Sequence, residues 1–281
     1  MVADRSPRVG RDLRLTAPLE IAERVVPVWG SRLDMTVQVA GEGPPLVYLH
    51  AAGGMMWDPF VEQLAGAHTV YAPLVPGTAP GNPHDIAKVD DLWDLVLIYD
   101  ETIRALGIEG APVVGPSFGG MLALELAAHF PSLFSRVVVL DPIGLWLDDH
   151  PVANWVAVAP DELPALLFHQ PGGDAARAMF TPPDDPEAAI AAIVGMSWST
   201  GCTSKFVWPV PDKGLAKRLH RIQAVTLIIW GRQDALISSD YAAELATRIP
   251  DSRVEIIDRC GHIPQVEQLD QTMSLVSDHL G

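Results

Sequence analysis

The sequence predicts an α/β fold with a mostly parallel central sheet, helices on both faces and an inserted helical segment. Short apolar runs alternate with helical patterns along most of the chain, which is typical of parallel sheets covered on both sides. A glycine-flanked turn between a strand and a helix lies at residues 115–120. The strand rhythm stops at Pro142 and returns after Leu219, so we predict a core at residues 1–141 and 212–281 and a helical cap at residues 142–211.

Periodicity assigns the elements of the core in order. Residues 23–29 and 33–39 show the partial period-two alternation of strands. Apolar runs of strand length are found at residues 45–50, 69–73, 136–140, 225–230 and 254–257, with another directly before Ser117. Helical spacing is found at residues 60–65, 85–106, 121–129, 238–249 and 266–280. Residues 1–16 are polar and are predicted to form a loose arm.

Composition limits the classes of partner. The 281 residues are 48% hydrophobic, and 35 acidic against 19 basic side chains give a net charge of −16. Nucleic acids and anionic membranes attract clustered Lys and Arg, and the sequence has no such cluster. We therefore expect a small-molecule substrate and neither nucleic acid nor membrane as a partner. The composition does not fix the oligomeric state, and a homodimer is one possibility.

Several further features favour a cytoplasmic protein. The N-terminal residues lack the apolar run of a signal peptide, and no apolar stretch has the length of a membrane span. Cys202 and Cys260 are predicted to be buried thiols and imply no disulfide framework. No Cys/His spacing indicates zinc, and we predict neither a metal nor another cofactor.

The turn at residues 115–120 has the sequence Gly-Pro-Ser-Phe-Gly-Gly and predicts a nucleophile at Ser117. A serine hydroxyl becomes an effective nucleophile when it is held clear of the sheet beside a base. A strained turn between strand and helix holds the serine in this way, and small residues around it avoid collisions. The motif by itself is weak, because turns commonly contain Gly and Ser.

The partners of Ser117 are sought where strands end, because catalytic groups of open α/β sheets gather there. His262 follows the last predicted strand and is the predicted base, whereas His50 is predicted to organise a loop through backbone hydrogen bonds. Asp234 follows the strand at residues 225–230 and is the predicted acid, with Asp141 as its rival. The order Ser, Asp, His matches that of a known hydrolase class.

The predicted oxyanion hole uses two backbone N–H groups. One belongs to Phe118, directly after the nucleophile, at the start of the helix where N–H groups are unpaired. The other is assigned to Ala52, in the Ala-Ala-Gly-Gly loop that follows His50. A plain glycine-rich turn is the alternative interpretation of that loop.

Four motifs in this order make the chain resemble the α/β-hydrolase superfamily over nearly its whole length. They are residues 49–54 (LHAAGG), 115–120 (GPSFGG), 230–234 (WGRQD) and 261–267 (GHIPQVE). The resemblance implies a Ser117–His262–Asp234 triad, a lid over the site and a structural role for Glu267. Related dehalogenases and epoxide hydrolases carry Asp where this chain has Ser117, so alkyl-enzyme chemistry is not expected.

The chain departs from the family pattern at several positions. Ala51 replaces a usual Gly after His50, and Pro116 replaces a usual His, Asn or aromatic residue before the nucleophile. The loop at residues 76–81 lacks the common Gly-x-Gly-x-Ser spacing. Ile263 stands where hydrolases that cleave carbon–carbon bonds often carry Trp after the base, which lowers that expectation without removing it.

The predicted function is hydrolysis of a carboxylic ester through an acyl-enzyme, as in a carboxylesterase. A carbon–carbon hydrolase, lactonase or thioesterase using the same triad is the alternative, and a non-catalytic ligand-binding or receptor protein is the alternative of another class. Aromatic residues of the cap favour an apolar or aromatic substrate, although such residues also fill the cores of proteins. The predicted substrate-binding residues are Trp57, Met56, Trp146, Trp155, Phe206 and Ile263.

Overall fold

The computed structural model describes residues 19–80 and 82–281, so the predicted arm at residues 1–16 lies outside the described residues. Its centre is an eight-stranded sheet with the order β1-β2-β4-β3-β5-β6-β7-β8. The strands are β1 Ala22–Val28, β2 Leu33–Ala40, β3 Pro45–Tyr48, β4 Thr69–Pro73, β5 Val113–Pro116, β6 Arg136–Leu140, β7 Val225–Gly231 and β8 Ser252–Ile257. Strand β2 is antiparallel to both neighbours, and the other pairs are parallel.

The helices connect these strands and cover the sheet. They are α1 Pro59–Ala65, α2 Leu92–Ala105, α3 Ser117–His129, α4 Leu163–Leu167, α5 Asp174–Phe180, α6 Pro186–Val207, α7 Asp240–Arg248, α8 Pro264–Glu267 and α9 Leu269–Leu280. Short 3₁₀ turns are found at Pro83–Lys88, Leu215–Lys217 and Leu219–Arg221. The mostly parallel sheet and its helices confirm the predicted fold class.

Both faces of the central strands are buried, as their apolar sequences predict, whereas the edge strand β1 is mostly exposed. Consecutive side chains of β5 belong to different hydrophobic clusters, with Val113 in one and Val114 in the other. Strand β7 alternates in the same way, with Ile228 and Leu227 in opposite clusters. Because successive strand residues point to opposite faces, the two clusters are cores on the two sides of one sheet.

Several predicted boundaries differ from the observed ones. The long helix predicted at residues 85–106 is divided, because the Asp91 side chain caps α2 by accepting hydrogen bonds from the N–H groups of Trp93 and Asp94. A capped helix starts at its cap, so the apolar spacing before Asp91 belongs to a separate 3₁₀ turn. Helix α3 begins at Ser117 itself, four residues earlier than predicted, and the last helix is divided at Gln268.

Residues 142–211 contain helices α4 to α6 and add no strand to the sheet. Helix α6 contacts two loops of the core. The indole N–H of Trp198 donates to the Gly77 carbonyl at 2.9 Å, and the Thr203 hydroxyl donates to the Ala52 carbonyl at 3.2 Å. The division into core and cap stays a prediction that agrees with this arrangement.

Two further sequence predictions concern the burial of the two cysteines and the lack of a membrane-spanning segment. Cys202 and Cys260 are both free thiols in buried positions, which confirms the expectation for them. Across residues 19–80 and 82–281, none of the helices combines the length and the apolar character needed to traverse a bilayer.

Candidate active site

Ser117 lies at the sharp turn where β5 ends and α3 begins. Its φ of +50° is in the left-handed region, which is strained for a residue with a side chain. A Cβ added to Gly119 would be 1.8 Å from the Leu49 carbonyl oxygen, and one on Gly115 would be 2.4 Å from the Gly119 oxygen. The glycines of the motif are therefore required because the backbone of the turn packs directly on itself and on the end of β3.

His262 and Asp234 reach Ser117 in one hydrogen-bonded chain. The Nε2 atom of His262 lies 2.9 Å from the Ser117 Oγ, and its Nδ1 atom lies 2.7 Å from an oxygen of Asp234. An N–H at Nδ1 donates to the carboxylate, which leaves the Nε2 lone pair to accept the serine hydroxyl proton. His262 and Asp234 are buried and Ser117 is partly exposed, so the nucleophile is the member of the chain that solutes can reach.

The backbone holds the acid and the base in place. The second oxygen of Asp234 accepts hydrogen bonds from the N–H groups of Leu236 at 2.8 Å and Ile237 at 2.9 Å. The N–H of His262 donates to the carbonyl of Leu167, at the end of α4, at 2.8 Å. These bonds fix the orientation of both side chains, and the last one connects the loop that carries the base to the inserted segment.

Glu267 connects the same two parts of the chain. Its carboxylate accepts hydrogen bonds from the N–H groups of Gly261 at 2.5 Å, His169 at 3.2 Å and Gln170 at 3.4 Å. Residues 258–263, which carry His262, are called the base loop. The Glu267 carboxylate therefore satisfies donors on both sides of the contact between the base loop and residues 167–170. This arrangement agrees with the structural role that the resemblance implied for Glu267.

His50 organises the loop after β3 through its two ring nitrogens. Its Nδ1 donates to the Ala51 carbonyl at 2.8 Å, and its Nε2 accepts the N–H of Val75 at 3.1 Å. Burial lowers the pKa of His50 to about 4, so the ring is neutral at neutral pH. Ala51 is not among the described residues with positive φ, so the absence of the usual Gly imposes no left-handed strain on an Ala there.

The two predicted oxyanion donors lie on the segments that meet at Ser117. Phe118 is fully buried in the first turn of α3, where N–H groups have no partner within the helix. Ala52 belongs to the loop that His50 organises, and the Thr203 hydroxyl holds its carbonyl. Pro116 has an ordinary extended conformation, with φ −84° and ψ 145°, at the position before the helix.

Asp141 lies beside the acid of this chain, directly after β6. It is completely buried, and one of its oxygens accepts the N–H of Gly231 at 2.9 Å. One ligand atom each from Asp141, Asp234 and His262 lie within 4.8 Å of one another. Both ring nitrogens of His262 are engaged by Asp234 and Ser117, which favours a proton-transfer network over a cation site. The rival acid is thus a neighbour of Asp234, and Asp234 makes the bond to the base.

The alpha/beta hydrolase family model matches residues 46–274, which include every member of this hydrogen-bonded chain. The chain belongs to that family. Relatives of this chain include hydrolases named for 2-hydroxy-6-oxo-dienoates and for 2-hydroxymuconate semialdehyde. A 2-hydroxy-6-oxo-6-phenylhexa-2,4-dienoate hydrolase of Comamonas testosteroni is 28% identical over 262 residues, covering 86% of this chain and 89% of the relative.

Solved structures place this hydrolase among members of the same fold. A 2-hydroxy-6-oxo-6-phenylhexa-2,4-dienoate hydrolase from Rhodococcus sp. strain RHA1 superposes with a TM-score of 0.66 at 24% identity, covering 93% of this chain and 99% of the other. Naproxen esterase from Bacillus subtilis gives 0.72 at 16% identity, covering 94% and 93%. At these identities the likeness shows the fold alone.

A cleft of about 1050 Å³ runs between the inserted segment of this hydrolase and the core. It is lined by Gly53 and Gly54, next to Ala52, by α6 and by the loop after β4, and neither Ser117 nor His262 is among its lining residues. Of the predicted substrate-binding residues, Met56 lines this cleft. Helix α6 contributes Met196, Trp198 and Ser199 to the cleft. The predicted substrate-binding residues do not include these three, because their positions on the helix do not show which surface the helix faces.

The other predicted substrate-binding residues of the hydrolase lie elsewhere. Phe206 is 1% exposed, packs 6.4 Å from the Phe118 ring and borders a separate, more polar cavity. Trp57 donates its indole N–H to Gln38 at 2.8 Å, and Trp155 packs 5.0 Å from the Trp208 ring. Trp146 donates to Asp148, and Ile263 is buried against residues of α5. None of these five borders the described cleft, because their apolar surface is used in packing within the protein.

Proposed function

We propose that this hydrolase cleaves carboxylic esters of apolar compounds, with Ser117 as the nucleophile. The observation that carries the proposal is the hydrogen-bonded chain from Ser117 through His262 to Asp234, which starts at a strained turn. A base and an orienting acid convert a weakly nucleophilic hydroxyl into an effective one.

In the proposed reaction, the Ser117 oxygen attacks the ester carbonyl while its proton moves to Nε2 of His262. Asp234 stabilises the resulting imidazolium through the Nδ1–H. The protonated base then gives its proton to the leaving alkoxide, and an acyl-enzyme remains. Water, deprotonated by His262, attacks the acyl carbonyl and releases the acid and the free serine.

The proposed oxyanion donors are the N–H groups of Phe118 and Ala52. Preorganised backbone donors stabilise the charge that develops on the carbonyl oxygen, and a single such donor contributes about 10² to 10³ in kcat. The N-terminus of α3 adds the positive end of a helix dipole at the same point. We propose that residues 142–211 act as the lid of this site, supported by the contact of α6 with the Ala52 carbonyl.

The chemistry of the cleft supports an uncharged, apolar substrate. Of the described residues that line it, none is Lys or Arg, and most are apolar or glycine. Burying a carboxylate requires a paired cation or several donors, whereas an alkyl or aryl group is stabilised by the apolar wall alone. A neutral ester therefore fits this cleft better than an anionic substrate.

The second candidate is hydrolysis of a carbon–carbon bond in a 2-hydroxy-6-oxo-dienoate. The observation that favours it is the 28% identity over 86% of this chain to a hydrolase named for such a substrate. The same serine and base would serve, because a carbon–carbon hydrolase of this kind also cleaves next to a carbonyl. The dienoate carries a carboxylate, for which the described cleft wall offers no Lys or Arg.

The test compares both substrate classes on one set of proteins. Initial rates are measured for wild type, Ser117→Ala and the control Ser239→Ala, on p-nitrophenyl esters of increasing acyl length and on a 6-phenyl dienoate. Ester turnover that has a chain-length optimum and is abolished only in Ser117→Ala supports the proposal. Turnover of the dienoate alone would replace it with the second candidate, and binding without any turnover would indicate a ligand-binding protein.

A further inference from the structure

The three carboxyl groups around His262 differ in the number of hydrogen bonds that the protein supplies to them. Asp234 receives two backbone N–H groups and the imidazole, and Glu267 receives three backbone N–H groups. Asp141 receives one, from Gly231, and its second oxygen is buried with no hydrogen-bond partner in the part of the chain that the structure describes. Hydrogen bonds to a carboxylate stabilise its charged form, so Asp141 is the least stabilised anion of the three.

Among the described residues, the groups that act on the Asp141 carboxyl include neither Lys nor Arg. The titratable groups near it are Asp234, Glu267, Cys260 and His262. Two of these are carboxylates, and the imidazole is already bonded to one of them. Burial, followed by the neighbouring charge of Asp234, raises the pKa of Asp141 well above its usual range. Like charges held this close cannot both ionise without a large cost.

We propose that Asp141 is a positioning residue that keeps its proton at neutral pH and shares it with the carboxylate of Asp234. The unpaired oxygen carries the proton, and the carboxylate of Asp234, which has an oxygen within 4.8 Å of a carboxyl oxygen of Asp141, is the acceptor. The proposal rests on the proposed function only for its effect on catalysis. It assigns to Asp141 a hydrogen bond that orients Asp234 and disperses its charge before the imidazolium forms.

The backbone supports a dedicated role at this position. Asp141 has a φ of +46°, a conformation that costs free energy for any residue other than glycine and that Asn and Asp tolerate best. The neighbouring bonds of its N–H to Ile229 and of its carboxylate to Gly231 fix the side chain against the end of β7. Because Asp234 lies three residues beyond Gly231, Asp141 holds the same turn from which the acid projects.

The variants Asp141→Asn and Asp141→Gly distinguish a protonated Asp141, which donates a hydrogen bond to Asp234, from an ionised Asp141. Asn keeps a donor for Asp234 and an acceptor for Gly231, and Gly removes both while fitting the left-handed backbone. If the proton is shared, Asp141→Asn keeps kcat/KM within about threefold and leaves the acidic limb of the pH–rate profile in place. Asp141→Gly lowers kcat about tenfold or more with little change in KM, and moves the acidic limb to higher pH because Asp234 then holds the imidazolium more strongly.

The opposite pattern would overturn the proposal. An ionised Asp141 would stabilise the imidazolium, so its replacement by Asn would move the acidic limb to lower pH. Equal profiles for Asp141→Asn and Asp141→Gly would show that the donor has no role. Asp258→Asn, which removes an exposed carboxylate at the end of β8, is the matched control.

A second readout needs no substrate and keeps the two proposals separate. The infrared difference spectrum of wild type minus Asp141→Asn at neutral pH is expected to show the carbonyl stretch of one protonated carboxylic acid. A carboxylate band in its place would overturn the shared proton, whatever the enzyme hydrolyses. If the band of a protonated carboxylic acid is present but the protein cleaves neither substrate class, the proposed function is wrong and the shared proton is still supported.

Discussion

The Nε2 atom of His262 lies 2.9 Å from the Oγ atom of Ser117, although 145 positions separate the two residues in the chain. They meet because β5 and β8 are parallel strands of one sheet, and both residues follow the carboxyl ends of their strands. The same geometry brings Asp234, which follows β7, to the other side of the imidazole. The chemistry proposed for this hydrolase depends on that shared edge.

Replacing Asp234 with Asn is expected to lower kcat about 10³- to 10⁴-fold while the fold is retained. The Asn oxygen would accept the N–H groups of Leu236 and Ile237, as the carboxylate does now. Its amide would then point its N–H groups at Nδ1 of His262 and select the tautomer that has no free lone pair at Nε2. Steady-state rates on the best ester, with circular dichroism as the check on folding, measure this effect.

The control for this change is Asp240→Asn, which alters an exposed aspartate at the start of α7. It should leave kcat unchanged. Retention of wild-type kcat in Asp234→Asn would show that Asp141, and not Asp234, serves the base.

Replacing Gly195 with Trp is expected to shorten the acyl chains that the enzyme accepts. Gly195 lines the cleft on α6, and a Cβ there would meet no atom within 4 Å, so an indole enters open space. We expect kcat/KM to fall about tenfold or more for long-chain esters and to change little for acetate esters. The measurement is kcat/KM for a series of p-nitrophenyl esters of increasing acyl length.

Gly201→Trp is the matched control, because Gly201 lies on the same helix, has equally open surroundings and does not border the cleft. Identical chain-length profiles for the two variants would mean that the acyl group does not occupy this cleft.

Replacing Gly261 with Ala is expected to lower both the melting temperature and kcat. A Cβ at Gly261 would be 2.6 Å from the Leu167 carbonyl oxygen and 2.8 Å from the His169 nitrogen, so the segment after α4 must shift. That segment accepts the N–H of His262, and the base would move with it. We expect a loss of about 1–3 kcal/mol in the free energy of unfolding and about tenfold or more in kcat.

The comparison variant is Gly172→Ala, which adds the same methyl group nearby, where no atom lies within 4 Å. It should leave the melting temperature and kcat within error of wild type. A Gly261→Ala protein with normal kcat would show that the contact between residues 167–169 and the base loop is not needed to place His262.

The stability of Asp141→Asn relative to wild type is expected to increase with pH. Burial raises the pKa of Asp141 in the folded state, so the unfolded chain must take up a proton to fold once the pH exceeds the ordinary Asp pKa. The stability that the protonated carboxyl contributes is therefore present at low pH and is lost as the pH rises towards the raised value. Asn has no proton to take up, and the difference should grow by up to about 1.4 kcal/mol per pH unit.

Urea unfolding at several pH values between about 5 and about 8 measures this difference. Asp258→Asn serves again as the exposed-carboxylate control. A difference that stays constant, or that falls with pH, would mean that Asp141 is ionised in the folded protein.

Sequence patterns were most informative where chemistry requires particular residues at fixed spacing. The turn at residues 115–120 requires glycines because backbone atoms approach within collision distance of any Cβ at Gly119. Apolar runs located β3 to β8 because a parallel sheet is buried on both faces, whereas partial alternation located β1 and β2 at the antiparallel edge. Helix boundaries were predicted less well, since a side-chain cap such as Asp91 can end an apolar periodicity that continues through it.

By itself, the sequence determined the fold class, the family motifs and the residues Ser117, Asp234 and His262 that come together, because local spacing and strand order specify them. Only the tertiary structure decided which apolar side chains border the cleft, since Phe206 and Met56 are both apolar and their burial depends on distant partners. It also decided that Asp141 lies against Asp234, because that contact joins two strand ends through a hydrogen bond to Gly231 that no sequence spacing encodes.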